Sequence, residues 1–222
     1  MSSCRNPGLK IKKIQALKAR DKMQEKMKIM TIFIAAFLAA CAHHQTIENT
    51  TAADYNVQLG LGYLEKGDNV RAKEKLLRAT AQAPELVDAH LALAYYYEQM
   101  GQIQPAEQSY QNALKLTRSA GRVNNNYGAF LCQQGAYAKS MQYFQRAIDD
   151  ASYPQTAKAY ENAAFCSVMR HDFKAASEYA DLAVQQDPSK QDIFLKLSYL
   201  LEQQGEKEQA DLYIKRYHLT NS

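Results

Sequence analysis

Large apolar and small side chains recur along residues 53–222 at spacings that predict pairs of short amphipathic helices. In the first helix of each pair, large residues recur at spacings of three, four and seven, which places them on one helical face. These large residues are Leu59, Tyr63, Leu93, Tyr97, Tyr127, Leu131, Leu197 and Leu201. A small residue lies beside them, at Gly60, Ala94, Gly128, Ala164 and Ser198. We expect these small residues to let the two helices of a pair approach closely.

A turn-forming residue separates the two predicted helices of each pair. These residues are Gly67, Gly101, Gly135, His171 and Gly205, which lie 34, 34, 36 and 34 positions apart. A small residue follows five positions after each of them, at Ala72, Ala106, Ser140, Ala176 and Ala210. A period of 34 with this pattern is the signature of the tetratricopeptide repeat, a stacking helix–turn–helix unit. The four glycines and His171 are expected to adopt the left-handed conformation that ends a helix.

The period predicts an all-α fold, a right-handed superhelix of stacked helix pairs, with five clear repeats or six if a divergent one is present. The repeat domain is assigned to residues 52–222, with repeats at 53–86, 87–120, 121–154, 157–190 and 191–222. The fourth repeat is irregular, because Gln155 and Thr156 are inserted before it and Ala180 replaces a large residue of the other repeats. We therefore expect a longer connection and a change of superhelix pitch there.

The N-terminal segment has the features of an export signal. An apolar run of 11 residues, 30–40, ends in Leu38-Ala39-Ala40-Cys41, which looks like a bacterial lipobox. Residues 1–40 are therefore predicted to be a signal peptide with an N-terminal gene-model extension, and translation is expected to start at Met27 or Met23. Cleavage leaves a lipidated Cys41, with residues 41–51 as a polar tether. A generic secretory signal or a buried helix is the alternative.

The net charge of +4 belongs to the predicted signal and not to the repeats. Residues 1–40 hold nine Lys/Arg and two Asp/Glu, whereas residues 41–222 hold 18 and 21. The repeat domain is therefore mildly acidic, which argues against a nucleic-acid partner.

The inward face of the first helices predicts a groove for a protein partner. Its apolar residues suit an extended or helical peptide. Leu at helical spacing is more often core than binding site, so core packing between adjacent first helices is the alternative. Asn126 and Asn162 hold the same position of adjacent repeats and offer both donors and acceptors. We expect them to bond neighbouring backbone. The alternative is a clamp for a C-terminal carboxylate with Lys158 as one of its cations, although the full set of basic residues for such a clamp is absent. The predicted groove consists of Val57, Leu61, Leu64, Leu91, Tyr95, Asn125, Asn126, Asn162, Phe165 and Tyr199.

Two cysteines, Cys132 and Cys166, fall on the first helices of neighbouring repeats at similar height. An export signal favours a disulfide between them, and two buried free thiols are the alternative. The sequence predicts no enzyme, cofactor or metal site, because the histidines are scattered and no nucleophile, metal-ligand or phosphate-loop motif is present. His90 is expected to be a packing residue.

The third repeat carries the most specific pattern. Residues 124–137 read Asn-Asn-Asn-Tyr-Gly-Ala-Phe-Leu-Cys-Gln-Gln-Gly-Ala-Tyr, and 138–147 read Ala-Lys-Ser-Met-Gln-Tyr-Phe-Gln-Arg-Ala. With the lipobox and Cys166, this stretch closely resembles the PilF/PilW family of type IV pilus biogenesis lipoproteins, the pilotins. The resemblance runs from Cys41 to near the end of the chain.

The resemblance implies an outer-membrane lipoprotein of a Gram-negative bacterium, on the periplasmic face. Such a protein binds the pilus secretin and promotes its localisation or oligomerisation, or supports pilus stability. Ala42, in place of Asp, agrees with outer-membrane sorting. The family's cysteine pair maps onto Cys132 and Cys166. The alternative function is a general envelope lipoprotein that scaffolds cell-wall enzymes or outer-membrane assembly, or an adaptor of a periplasmic peptidase.

Overall fold

The computed structural model describes Met27, Met30 and residues 50–117 and 119–220, with side chains as far as residue 218. The described residues from 53 onward belong to one compact unit. Ten α-helices are seen in this described part. They are α1 (50–65), α2 (Asn69–Gln82), α3 (Val87–Gln99), α4 (Ile103–Leu116), α5 (Gly121–Gln133), α6 (Tyr137–Ile148), α7 (Thr156–Met169), α8 (Phe173–Gln186), α9 (Ile193–Gln203) and α10 (Lys207–Thr220), with a 3₁₀ turn at Pro188–Lys190.

These helices form five antiparallel pairs, and the predicted tetratricopeptide fold is confirmed. Each odd-numbered helix packs against the even-numbered helix that follows it, as α3 does on α4 and α7 on α8. Odd-numbered helices also contact one another, α5 with α7 and α7 with α9. Side chains from each pair and from the next pair together bury the core, since one pair alone cannot cover its apolar face. The odd-numbered helices therefore line one common face of the stack.

The turn inside every pair has the geometry that the sequence predicts. Gly67, Gly101, Gly135 and Gly205 have φ values of 74°, 65°, 75° and 82°, and His171 has a φ of 59°. At Gly101 the backbone N–H donates to Glu98 O at 2.9 Å, and the next N–H, that of Gln102, donates to Tyr97 O at 2.8 Å. This paired pattern is a Schellman cap, and His171 adopts it as well. His171 therefore keeps the turn despite carrying a Cβ in left-handed backbone.

The helices of a pair approach closely at the predicted small residues. A Cβ built on Gly60 would lie 2.6 Å from the side chain of Leu76, and one built on Gly128 would lie 2.8 Å from the ring of Phe144. Leu76 is fully buried and Phe144 is nearly so. In the third pair, Ser140 Oγ donates to Gly128 O at 2.7 Å, which ties α5 and α6 at their crossing.

The longest connection between pairs precedes the fourth repeat, as expected from the insertion. Residues 149–155 join α6 to α7, compared with 83–86 between α2 and α3. This loop folds back on the start of α5, where Tyr153 is buried against Gly121. The Asp150 carboxylate accepts a hydrogen bond from Gly121 N at 2.8 Å. The long connection is therefore held in place by the third repeat.

One acidic side chain in the stack gives a pH-dependent stability. Burial raises the pKa of Glu98 to about 7, against the opposing effect of the hydrogen bond from Tyr110. The Tyr110 hydroxyl donates to Glu98 Oε2 at 3.0 Å. Because the folded state holds this proton more tightly than the unfolded state, stability falls as the pH rises from about 4.5 to about 7.

Glu98→Gln should therefore stabilise the fold at pH 8, because the amide accepts from Tyr110 without ionising. We expect a gain of about 1–2 kcal/mol, after allowing for the solvent that reaches this half-buried group. The gain should shrink towards zero below pH 5 in urea unfolding series. Glu107→Gln is the matched control, since hydrogen bonds from Tyr127 and then Lys139 lower the pKa of Glu107. Glu107→Gln should lower the stability of the fold at pH values above the ordinary carboxyl pKa, and this loss should fade as the pH falls. An effect of Glu98→Gln that is the same at pH 4 and pH 8 would contradict this account.

Candidate protein-binding site

The common face of the odd-numbered helices carries a cleft between the first two repeats, which we call the first cleft. It has a volume of 610 Å³ and lies on α1 and α3, with α5 at one end. Its apolar wall consists of Val57, Leu61, Leu64, Leu91, Ala92, Tyr95 and Met100. Tyr95 is 46% exposed although it is aromatic. An exposed ring beside aliphatic side chains suits the capture of an apolar side chain from a partner.

The rim of the first cleft is charged. Asp88 on α3 and Arg122 on α5 form an ion pair across neighbouring repeats, and Glu65 also lines the cleft. The three side chains sum to one negative charge. Asn126 closes the α5 end of the cleft. The cleft therefore combines an apolar wall with a weakly acidic rim.

A smaller cleft lies further along the same face, and we call it the second cleft. Its volume is 270 Å³. Its lining comes from α5, α6, α7 and α9 and has no charged residue: Ala129, Cys132, Gln133, Phe144, Asn162, Phe165, Cys166, Met169 and Leu200. Met169 is 40% exposed at its edge. Of these lining residues, the sequence predicted only Asn162 and Phe165 as binding residues.

The predicted groove is thus divided into two clefts. Six of the predicted residues line the first cleft: Val57, Leu61, Leu64, Leu91, Tyr95 and Asn126. Two line the second. Asn125 is buried between α5 and α7 and does not form a wall. Tyr199 on α9 is 65% exposed and lies outside both linings.

Three asparagines connect the two clefts. Asn162 Nδ2 donates to Asn125 Oδ1 at 2.9 Å, and Asn125 Nδ2 donates to Asn126 Oδ1 at 3.4 Å. We call this chain of amides the Asn relay. The expectation that these Asn side chains bond neighbouring backbone is wrong for the pairs seen here. The bond between Asn162 and Asn125 crosses from repeat four to repeat three, whereas Asn125 and Asn126 are neighbours on α5.

Lys158 is already paired with a carboxylate of this chain. Its Nζ donates to Glu161 Oε2 at 3.1 Å, and Lys196 Nζ lies 3.3 Å from Glu161 Oε1. Lys190 is a third cation, 3.7 Å from the same carboxylate. The Glu161 side chain is only 3% exposed, so these lysines compensate a buried negative charge. A carboxylate clamp that uses Lys158 is therefore disfavoured, because the Glu161 carboxylate already binds this lysine.

Cys132 of α5 and Cys166 of α7 are joined by a disulfide in the structure, with their Cα atoms 5.8 Å apart. The bridge connects the first helices of repeats three and four and forms part of the second cleft. Cys166 is fully buried, and Ser140 Oγ lies 3.4 Å from its sulfur. The disulfide thus fixes the distance between two helices that build the binding face.

His90, in the described part of the chain, has a packing role. His90 Nε2 donates to Pro84 O at 2.8 Å, which ties α3 to the preceding connection. Among the described residues, no group of three His, Cys, Asp or Glu side chains is placed to hold a metal ion. The same residues include no helix of sufficient length and hydrophobicity to cross a membrane. Apart from Met27 and Met30, the predicted signal peptide lies outside the described residues, as do the Cys41 lipidation site and most of the tether.

Comparisons with known proteins agree with this fold. A family model described as tetratricopeptide repeat matches residues 91–157. The type IV pilus assembly protein PilF of Pseudomonas aeruginosa is 32% identical over 162 residues, which cover 73% of this chain and 64% of PilF. The chain thus spans slightly less than two thirds of that relative.

The matches to two solved structures cover a larger share of both aligned chains. A structure of P. aeruginosa PilF is 30% identical, with a TM-score of 0.64 over 78% of each chain. PilW, described as a widely conserved type IV pilus biogenesis factor, is 28% identical, with a TM-score of 0.66 over 76% of this chain and 77% of PilW. Sequence and architecture therefore lead to one conclusion: the chain belongs to the family of tetratricopeptide-repeat proteins that includes PilF and PilW.

Proposed function

We propose that this protein is a non-enzymatic scaffold for type IV pilus biogenesis, which binds the pilus secretin subunit and promotes its localisation or oligomerisation. The observation that carries the proposal is membership of the PilF/PilW family over about three quarters of the chain. The binding face supports it, because two apolar clefts on a rigid helical stack suit a protein ligand. Catalysis has no part in the proposal.

The proposal includes a lipid anchor on Cys41 and a place at the periplasmic face of the outer membrane. Its support is the order of apolar run, small residues and cysteine at residues 30–41, followed by a polar segment. A secretin subunit held by an anchored scaffold is confined near the membrane, which raises its local concentration and favours ring assembly. The first cleft is the proposed entry point, since it combines the larger volume with the exposed Tyr95.

Deletion of the gene tests the proposal directly. We expect heat-resistant secretin multimers and surface pili to be lost, and both to return when the gene is supplied on a plasmid. A plasmid encoding Cys41→Ser should restore neither fully, because the scaffold is then released from the membrane. Normal multimers and pili in the deletion strain would rule the proposal out and favour a general envelope scaffold. Affinity capture of the anchored protein would then identify the cell-wall or assembly factor that it holds.

A further inference from the structure

The second cleft and the Asn relay together indicate how a partner lies on the binding face. We infer that the partner, on the function proposed above, binds as an internal extended segment with two apolar anchor residues. One anchor enters the first cleft, the other enters the second cleft over the Cys132–Cys166 bridge, and the Asn relay bonds the backbone between them. The partner's chain end and acidic side chains have no part in recognition.

The second cleft has the size and chemistry of a pocket for one side chain. Its 270 Å³ fall below the range of about 300–1,000 Å³ that is usual for small-molecule sites. Its lining is uncharged, and Phe165, Met169 and Leu200 supply apolar contact. Burial of a charged group there would lack a compensating partner. A large apolar or aromatic side chain is therefore the ligand that this cleft fits.

The Asn relay has a hydrogen-bonding end at each cleft. Within the relay, Asn126 Oδ1 accepts a hydrogen bond from Asn125 and Asn162 Nδ2 donates one to Asn125. The opposite atoms, Asn126 Nδ2 and Asn162 Oδ1, are left as a donor at the first cleft and an acceptor at the second. A peptide backbone offers the complementary carbonyl and N–H. Because buried Asn125 links the two side chains, the donor and acceptor are held in fixed positions.

Charge distinguishes an internal segment from a C-terminal one. A chain end brings a carboxylate, which needs a free cation, but the lining of the second cleft holds no Lys or Arg, and the one cation that lines the first cleft, Arg122, is paired with Asp88. The rim of the first cleft carries one net negative charge, from Glu65, Asp88 and Arg122. Both features disfavour an acidic or carboxylate-terminated ligand and suit a neutral or basic one.

Helix spacing gives the separation of the two anchors. The first cleft lies mainly between α1 and α3, and the second between α5 and α9, which are about two helix spacings apart. At about 8–10 Å for each spacing, the anchors lie roughly 16–20 Å apart. An extended chain covers this distance with about five or six residues.

The inference is tested with the full chain and a random library of peptides of about twelve residues with amidated C-termini. We expect binders with two large apolar residues about five or six positions apart, and no gain in affinity from a free carboxylate. Asn162→Ala and Met169→Glu should each weaken binding about tenfold. Asn112→Ala and Leu116→Glu are the matched controls on α4, since Leu116 is 39% exposed and Met169 is 40% exposed. Both should bind within about twofold of the unaltered protein.

Binding that requires a free carboxylate, single-anchor binders only, no amidated binder, or equal affinity of Met169→Glu and Leu116→Glu would each overturn the inference. The same variants in cells separate it from the proposed function. If the deletion strain loses secretin multimers but Met169→Glu and Asn162→Ala restore them fully, the scaffold function stands and the two-anchor inference is wrong. Loss of multimers with both variants, and recovery with both controls, supports the inference.

Discussion

Replacement of both bridged cysteines, by Cys132→Ser with Cys166→Ser, should lower the free energy of unfolding by about 3–4 kcal/mol. The bridge closes a loop with a sequence separation of 34. Cross-linking a loop of this length restricts the unfolded chain, and loss of the restriction makes unfolding more favourable. Urea titration followed by far-ultraviolet circular dichroism, without reductant, measures the change. The midpoint should fall while the native helical signal stays the same, because the helices are held by the repeat packing.

Reduction of the unaltered protein is the natural control for this double variant. With reductant present, the two proteins should unfold at nearly the same urea concentration, because neither then carries the bridge. Alkylation of the denatured, unreduced protein followed by peptide mass mapping gives an independent readout. Cys132 and Cys166 should both escape modification. Modification of both residues at full yield would show that they are free thiols, and the predicted loss of stability would then have no basis.

The position of the bridge matters more than its energy alone. It joins α5 to α7, and the irregular connection at residues 149–155 lies within the closed loop. Tyr153 and Asp150 hold the same connection against Gly121 at the start of α5. The least regular step of the stack is therefore fixed twice, once by packing and once covalently. This step also forms the second cleft, so the bridge stabilises the surface on which we place the second anchor.

The sequence was sufficient to predict the fold because the repeat encodes it locally. A positive φ at a fixed position, small residues at helix crossings and a period of 34 each constrain the backbone by short-range sterics. His171 illustrates the strength of this pattern. It lies at the turn position that glycine holds in the other four repeats, yet its φ of 59° and its helix-capping hydrogen bonds match those of the four glycines.

The two clefts were predicted only in part, because they depend on side-chain partners in other repeats. Position within a repeat shows that Asn125, Asn126 and Asn162 face inward, but not that they bond each other. Lys158 was a candidate for carboxylate binding, and only the fold shows that Glu161 occupies it. The second cleft is formed by four helices and the disulfide, so no short stretch of sequence contains its pattern. The raised pKa of Glu98 has the same origin, since burial by a neighbouring helix causes it.

Gly60→Ala should destabilise the protein, whereas Gly62→Ala, two positions along the same helix, should stabilise it. A Cβ at residue 60 would lie 2.6 Å from two atoms of Leu76 and 3.3 Å from Ala72 O. Leu76 is fully buried, so its side chain has no free space into which to move. Overpacking of about 1–3 kcal/mol outweighs the gain of about 1 kcal/mol that alanine brings to a helix interior. The net cost should therefore reach about 2 kcal/mol.

Gly62 provides the comparison because its surroundings are open. No atom lies within 4 Å of a Cβ built there, outside the neighbouring backbone of α1. Alanine at residue 62 should therefore bring only its helix propensity, a gain of about 0.5–1 kcal/mol. The free energies of unfolding of the two variants, from thermal and urea unfolding, should differ by up to about 3 kcal/mol, with opposite signs relative to the unaltered protein. Equal stabilisation by both alanines would show that α1 and α2 can separate at no cost. The close crossing at Gly60 would then not be a requirement of the stack.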